Sequence, residues 1–232
     1  MDKFAVVIPA AGQGKRMESD RNKQFILLRN QPVIVHTLKA FQASEIISAI
    51  VLVCALGEEE YYQTEIFPGL QITKPTIVTV GGPERQDSVY KGLLNVPVDC
   101  DFVMIHDGAR PFISIELINL VAEAVKINGA VALGIPVKDT IKLTDDKGYI
   151  TDTLNRDRLW SIQTPQAFSI DLIKTAHLQA AASRYYGTDD ASLVERMGVL
   201  VRVILGSYDN IKITTPEDII VAEGILARRL GH

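Results

Sequence analysis

Short apolar runs alternate with amphipathic stretches along most of this chain. Residues 4–8 (Phe-Ala-Val-Val-Ile) are β-branched and apolar on both faces, and a turn rich in small residues follows them. Residues 32–41 then place Val35, Leu38 and Phe41 near one face at helical spacing. Further strand-like runs occupy 50–54, 76–80, 102–106 and 130–136, with helical patterns at 58–66, 84–94 and 115–127 between them. Strands apolar on both faces, separated by amphipathic helices, predict a mainly parallel sheet covered on both sides by helices.

The alternation breaks after Val137. Residues 138–157 are polar, and the turn signal Asp145-Asp146-Lys147-Gly148 separates Ile141-Lys142-Leu143 from Tyr149-Ile150-Thr151. This pattern reads as a protruding β-hairpin, or as a solvated loop. A polar hairpin has no core of its own, and a second copy of the chain is the simplest partner. The main pattern resumes with a strand at 159–163, a helix at 170–184, a short helix from about Thr188, a strand at 200–205 and a last helix. That helix opens on Thr215-Pro216-Glu217-Asp218, with Pro at its first position. One domain spanning 1–232 with one excursion is the economical organisation.

Composition narrows the class. Hydrophobic residues make up 47% and charged residues 22%, as in ordinary globular proteins. The net charge of −4 gives no sign of a nucleic-acid footprint. No apolar run approaches the ~20 residues of a membrane span. The N-terminal stretch lacks the apolar core and cleavage site of a signal peptide, so a cytoplasmic location is expected. Cys54 and Cys100 form no disulfide framework or zinc spacing, and His36, His106, His177 and His232 show no metal-ligand spacing.

Candidate chemistry begins at Pro9-Ala10-Ala11-Gly12-Gln13-Gly14-Lys15-Arg16-Met17, directly after the first strand. Small residues let backbone N–H groups approach phosphate oxygens, while Lys15 and Arg16 add positive charge. Neither the Walker A pattern nor the three-glycine dinucleotide pattern fits, and a tight turn with solvated charges is the plain alternative. Lys23 follows closely; alone it is a surface charge, but beside a phosphate loop it is a cation for a reacting phosphoryl group. Asp107, in His106-Asp107-Gly108-Ala109-Arg110, ends the fourth strand, where ligands of open α/β sheets bind. It suits Mg²⁺ there, or simply caps the turn, and His106 reads as structural. In Gly81-Gly82-Pro83-Glu84-Arg85-Gln86-Asp87-Ser88, the glycines allow close approach of a planar base and Ser88 is placed to bond its edge; a strand-to-helix turn fits equally. Thr188 reads as a helix cap, and Lys212 as an edge-strand charge or a phosphate ligand.

In order along nearly the whole chain stand IPAAGQGKRM, NKQF, GGPERQDSV, HDGARPF, PVKDT, LWSIQTPQAF, GTDDASLVE and NIKITTPED. Together they resemble the 2-C-methyl-D-erythritol 4-phosphate cytidylyltransferases of the non-mevalonate isoprenoid pathway. The resemblance implies a Rossmann-like nucleotidyltransferase fold, Mg²⁺ as cofactor, and transfer of CMP from CTP to 2-C-methyl-D-erythritol 4-phosphate, with release of pyrophosphate. It implies a homodimer in which an arm, residues 138–157, completes the neighbouring site. By motif, Ala10, Ala11, Gly12, Gly14 and Lys15 would line the CTP loop, and Gly82, Arg85 and Ser88 would surround the cytosine. Arg16, Lys23 and Lys212 would supply catalytic positive charge, and Asp107 would bind the metal. Arg110, Thr140, Arg156, Thr164 and Thr188 would join Lys212 around the acceptor. The chain departs from the family at Pro83, where many members carry Asp, since Pro has neither N–H nor carboxylate. A sister family acting on ribitol 5-phosphate shares several of these motifs, and a nucleotide-binding sensor without catalysis is the alternative of a different class.

Overall fold

The computed structural model describes residues 2–12, 23–229 and 231, with Lys23 described in its backbone alone. Its centre is a seven-stranded sheet. The strands are β1 (Phe4–Pro9), β2 (Ile47–Cys54), β3 (Thr76–Val80), β4 (Phe102–Ile105), β5 (Ala130–Pro136), β8 (Trp160–Ser169) and β9 (Arg202–Leu205). A separate hairpin pairs β6 (Lys142–Thr144) with β7 (Ile150–Thr153). The sheet order is β9-β5-β8-β4-β1-β2-β3, parallel except for β8, which runs antiparallel to both neighbours. Chain order reverses between β1 and β4, which makes a switch point at the carboxyl ends of those strands.

The helices are α1 (Val33–Ala43), α2 (Arg85–Leu94), α3 (Ile115–Asn128), α4 (Ile170–Ala182), α5 (Asp190–Arg196) and α6 (Pro216–Arg229), besides a short irregular helical segment after β2. They cover both faces because β1 is apolar on both. Phe4, Val6 and Ile8 pack with Ile34, Leu38 and Phe41 of α1 and Ile118, Val121 and Val125 of α3. Ala5 and Val7 face Val89 and Leu93 of α2, Ile173 of α4 and Val194 of α5. Each fully buried side chain of this kind contributes about 1.5–3 kcal/mol.

Helix α2 lies very close to the sheet. A Cβ on Gly92 would sit 2.4 Å from Val7 Cγ1 and 2.9 Å from Val53 Cγ2, so only glycine permits this approach. A capping box between Glu84 and Asp87 fixes the start of α2 beside the carboxyl ends of the strands. Helix α6 packs Ala222 and Ile225 against Leu28, Val33, Phe112 and Ile213. Its Pro216 start is held by Asp218, which accepts hydrogen bonds from the Thr214 and Thr215 amides at 2.7 and 2.8 Å. Cys54 and Cys100 are buried free thiols. No helix among the described residues is long and apolar enough to cross a membrane.

Three expectations need correction. The segment expected as one helix over 58–66 is a single α-turn, Glu59–Tyr61, continued by a π-helix, Tyr62–Ile66. Apolar spacing does not distinguish the two, since the buried faces of Tyr62 and Ile66 satisfy either. The strand expected at 159–163 extends to Ser169, and its ladder to β5 shifts between Ile162 and Gln166, around the cis Thr164–Pro165 peptide. Finally, Asp189 rather than Thr188 caps the short helix α5, accepting from the Ser192 amide at 2.9 Å. The hairpin expected in the polar excursion forms, with Asp145 Oδ1 accepting from the Lys147 and Tyr149 amides across its turn.

Candidate active site

Beyond their formal ends, the central strands continue to pair. His106 N donates to Val7 O at 2.9 Å, Ala10 N to Val53 O at 2.7 Å, and Gly81 N to Cys54 O at 2.8 Å. These bonds bring the segments after β1, β3 and β4 side by side at the switch point. Between them lies a cleft of about 190 Å³, whose described walls include Ala11, Gly12, Gly82, Arg85, Asp107 and Lys212.

Asp107 is the electrostatic centre. Arg85 Nε donates to its Oδ1 at 3.1 Å, while Lys212 Nζ lies 2.7 Å and Arg110 Nε 3.8 Å from its Oδ2. Burial pushes this carboxyl up, but Arg85, Lys212 and Arg110 together outweigh burial and hold it well below the usual carboxylate range. Asp107 is therefore ionised at neutral pH. Burial likewise opposes the charge on Arg85, yet Asp190 and Asp107 raise its pKa above the ordinary value. Lys212 is brought here because its segment pairs with the Asp107 loop, Ile213 N donating to Ala109 O at 2.9 Å.

A buried polar lattice holds Asp107 from below. Its amide donates to Thr164 Oγ1 at 3.0 Å. The Thr164 hydroxyl also lies 3.2 Å from His106 Nδ1, and His106 Nε2 lies 3.1 Å from Arg110 O. A carbonyl can only accept, so Nε2 carries the proton and Thr164 donates to Nδ1. Burial lowers the His106 pKa to about 4, which keeps the ring neutral. Arg110 Nη1 donates to Asn210 O at 2.8 Å, and Asn210 Nδ2 donates to Thr164 O at 2.8 Å.

On the opposite wall, Gly82 N donates to Ser88 Oγ at 3.1 Å, and Ser88 Oγ donates to Glu84 O at 3.1 Å. The Ser88 hydroxyl thus shapes the double-glycine turn. A Cβ on Gly82 would lie 2.4 Å from Asp87 Cβ, inside the capping box of α2. Gly82→Ala should therefore displace the turn and cost about 1–3 kcal/mol as an overpacked site. Urea unfolding checks this; unchanged stability would show that the turn accommodates a side chain freely.

Of the residues expected to form the site, Ala11, Gly12, Gly82, Arg85, Ser88, Asp107 and Lys212 line the cleft. Arg110 and Thr164 contact Asp107 directly, and Ala10 is buried outside the described cleft wall, its amide bonded to Val53 O. Gly14, Lys15 and Arg16 lie outside the described residues, as does the Lys23 side chain. The Lys23 backbone begins a short 3-10 turn, Lys23–Phe25, whose Gln24 reaches the cleft wall. Thr140 and Arg156 are exposed on the arm and are not among the described residues of the cleft wall; Arg156 Nη1 donates to Lys138 O at 3.1 Å. Thr188 is exposed beside the α5 cap. Asp190, Gln166 and Asn210 join the polar lattice, although the sequence alone does not single them out. In the sequence Asp190 has the look of a solvated acid in the first turn of a helix. Two consecutive acids, of which only one can cap, are the available signal.

Among the described residues, no cluster of three or more His, Cys, Asp or Glu side chains is arranged to hold a metal ion. A single buried carboxylate at a phosphate-sized cleft still fits the way Mg²⁺ is held, through one or two carboxylates and substrate phosphates.

The sequence profile of 2-C-methyl-D-erythritol 4-phosphate cytidylyltransferase matches residues 4–228. A protein of that name from Pelotomaculum thermopropionicum is 48% identical over 232 residues, covering 100% of this chain and 98% of its own. Another from Desulforamulus reducens is 46% identical over 230 residues, covering 99% and 98%. The crystal structure of 4-diphosphocytidyl-2C-methyl-D-erythritol synthase from Anaerococcus prevotii superposes with a TM-score of 0.87 at 35% identity, covering 98% of this chain and 97% of that one. With the profile spanning nearly every residue and the relatives aligning end to end, the chain belongs to the 2-C-methyl-D-erythritol 4-phosphate cytidylyltransferase family.

Proposed function

We propose that this cleft performs the reaction for which the family is named. CMP passes from CTP to 2-C-methyl-D-erythritol 4-phosphate, giving 4-diphosphocytidyl-2-C-methyl-D-erythritol and pyrophosphate. The observation that carries the reading is the convergence of Arg85, Arg110 and Lys212 on one ionised Asp107 beside a glycine-walled cleft. An oxygen of the acceptor phosphate attacks the α-phosphorus, the bond to the bridging oxygen breaks, and pyrophosphate leaves with the electron pair. The acceptor is already anionic at neutral pH, so no side chain need act as nucleophile. Positioning and charge stabilisation then carry the catalysis.

Arg16 and Lys23 stabilise the charge that builds on the α-phosphate, and Ala11, Gly12, Gly14 and Lys15 cradle the triphosphate, with the buried Ala10, whose amide is already bonded to Val53 O, backing Ala11. Gly82, Arg85 and Ser88 form the nucleoside wall. Lys212, whose side chain is 34% exposed, turns from Asp107 toward phosphate oxygen when substrate enters. Asp107 would then hold Mg²⁺, which supplies further positive charge to the CTP phosphates. CTP with a chiral α-phosphorothioate tests the reaction type. Inversion at phosphorus is expected; retention, or a trapped cytidylyl-enzyme adduct, would refute direct displacement.

The same proposal takes 1–232 as one nucleotidyltransferase domain and 138–157 as its dimerisation arm. The hairpin leaves Tyr149 70% and Ile150 63% exposed, and isolated hairpins are marginal in water. In a homodimer, each arm gains a surface to cover these side chains and delivers Thr140 and Arg156 to the neighbouring acceptor site. Thr188 completes that site. Sedimentation equilibrium should give twice the mass of one chain, and Tyr149→Ser with Ile150→Ser should shift the protein toward monomer. A wild-type monomer at micromolar concentration would remove the arm from the mechanism.

A further inference from the structure

At the back of the cleft, Arg85 also engages a second, buried carboxylate, Asp190, to which the proposed reaction assigns no role. Arg85 donates from Nε to Asp107 Oδ1 at 3.1 Å and from Nη1 to Asp190 Oδ2 at 2.8 Å. The Asp190 side chain is 1% exposed and is not part of the described cleft wall. Its other oxygen, Oδ1, lies 3.4 Å from Nε2 of the buried His177, whose ring stacks on Tyr90.

We propose that Asp190 is a positioning residue for the transfer reaction, setting the place of Asp107 by orienting Arg85. A guanidinium is a rigid planar fork, and its orientation is fixed only when two of its edges are engaged. Bonded to Asp107 alone, Arg85 would swivel about that contact and leave the carboxylate, which Lys212 also holds at 2.7 Å, without a fixed orientation. Bonded to Asp190 as well, it has one orientation and presents Nε to Oδ1. Asp190 can serve as the anchor because its own position is fixed from several elements. The Ala191 amide donates to Gln166 Oε1 at 2.9 Å, and Gln166 Nε2 donates to Asp189 Oδ2 at 2.7 Å. Gln166 stands on β8, in register with Ile105 of β4, the strand that carries Asp107. The relay therefore closes a loop, from β4 through β8 and α5 to Arg85 and back to the end of β4. Removing either carboxylate would leave a half-buried guanidinium with half its counter-charge.

This inference rests on the cleft being the site of transfer, and its test separates the two. Initial rates with CTP and 2-C-methyl-D-erythritol 4-phosphate would be measured for Asp190→Ala, Asp190→Asn, Arg85→Leu and the doubles, with Asp107→Asn as control. Asp190→Ala should lower kcat by about 10–100-fold, the scale of a misplaced catalytic group, and change the calorimetric Kd for CTP less than kcat. Asp190→Asn keeps the volume and the acceptor oxygen, so it should retain most of the turnover that Asp190→Ala loses. In the Arg85→Leu background, either substitution at Asp190 should have little further effect on kcat. A full effect in that background, or unchanged kcat in both single variants, would overturn the proposal. If Asp190→Ala does not fold, the smaller loss in Asp190→Asn must likewise vanish in the Arg85→Leu background, and its persistence there would overturn the proposal equally. Loss of activity in Asp107→Asn with normal Asp190 variants sinks only this inference; normal activity in Asp107→Asn sinks the assignment of the cleft itself.

Discussion

Lys23→Ala is expected to lower kcat by about 10²–10³-fold, the effect of removing one preorganised charge donor at a reacting centre. Its turn sits beside Gln24 at the cleft wall, within the segment that leads from the small-residue loop to α1. CTP affinity should fall less, because charge on the α-phosphate builds only as the acceptor attacks. Near-normal turnover would reduce Lys23 to a surface cation. The same variant tests whether the arms are exchanged between subunits. Arg156→Ala should also be nearly inactive, since its guanidinium would engage the acceptor phosphate through two oxygens. In a mixed dimer, one site would carry both lesions and the other neither. Random re-pairing of the two variants should then restore up to about a quarter of wild-type activity, as half the dimers are mixed and each of those has one intact site. Demonstrated exchange with no recovery would mean that Arg156 does not act across the interface.

Asp107→Asn should lose about 10²-fold in kcat and also destabilise the protein. The carboxylate is buried, and its charge is shared by Arg85, Lys212 and Arg110. Neutralising it leaves Arg110, itself half-paired in a buried position, without its nearby anion. The expected cost is about 3 kcal/mol, the low end for breaking a buried ion pair, because Lys212 reaches solvent and Arg85 keeps Asp190. Part of the lost activity should return at high Mg²⁺. Urea unfolding and a Mg²⁺ titration of turnover check the two halves. Wild-type stability together with wild-type Mg²⁺ dependence would contradict the role given to Asp107.

The parts of the fold most legible in the sequence are those where burial is nearly complete. β1, β2 and β5 read directly because residues such as Val6 and Val7 are apolar whichever face they turn to. Only the first half of β8 is legible, and not through burial, since Trp160, Ser161 and Ile162 are exposed. Polar Thr164 and Gln166 and the proline at 165 hide the buried second half, whose pairing on both sides is supplied by β4 and β5. The site divides in the same way. Asp107 and Lys212 stand in compact local motifs, so their neighbours in sequence announce them. Asp190 is different. What buries it is Arg85 from α2 and His177 from α4, distant in sequence, and an acid at a helix start carries no local mark of such partners. Gln166 and Asn210 are silent in the sequence for the same reason, since amides satisfy buried neighbours that only the tertiary packing brings.

Acceptor-dependent release of pyrophosphate tests the central assignment most directly. The protein would be incubated with CTP, Mg²⁺ and either 2-C-methyl-D-erythritol 4-phosphate or ribitol 5-phosphate, with pyrophosphate followed in time. Sustained release with the methylerythritol phosphate, and little with the ribitol phosphate, is the predicted result; turnover confined to ribitol 5-phosphate, or none with either, would contradict it.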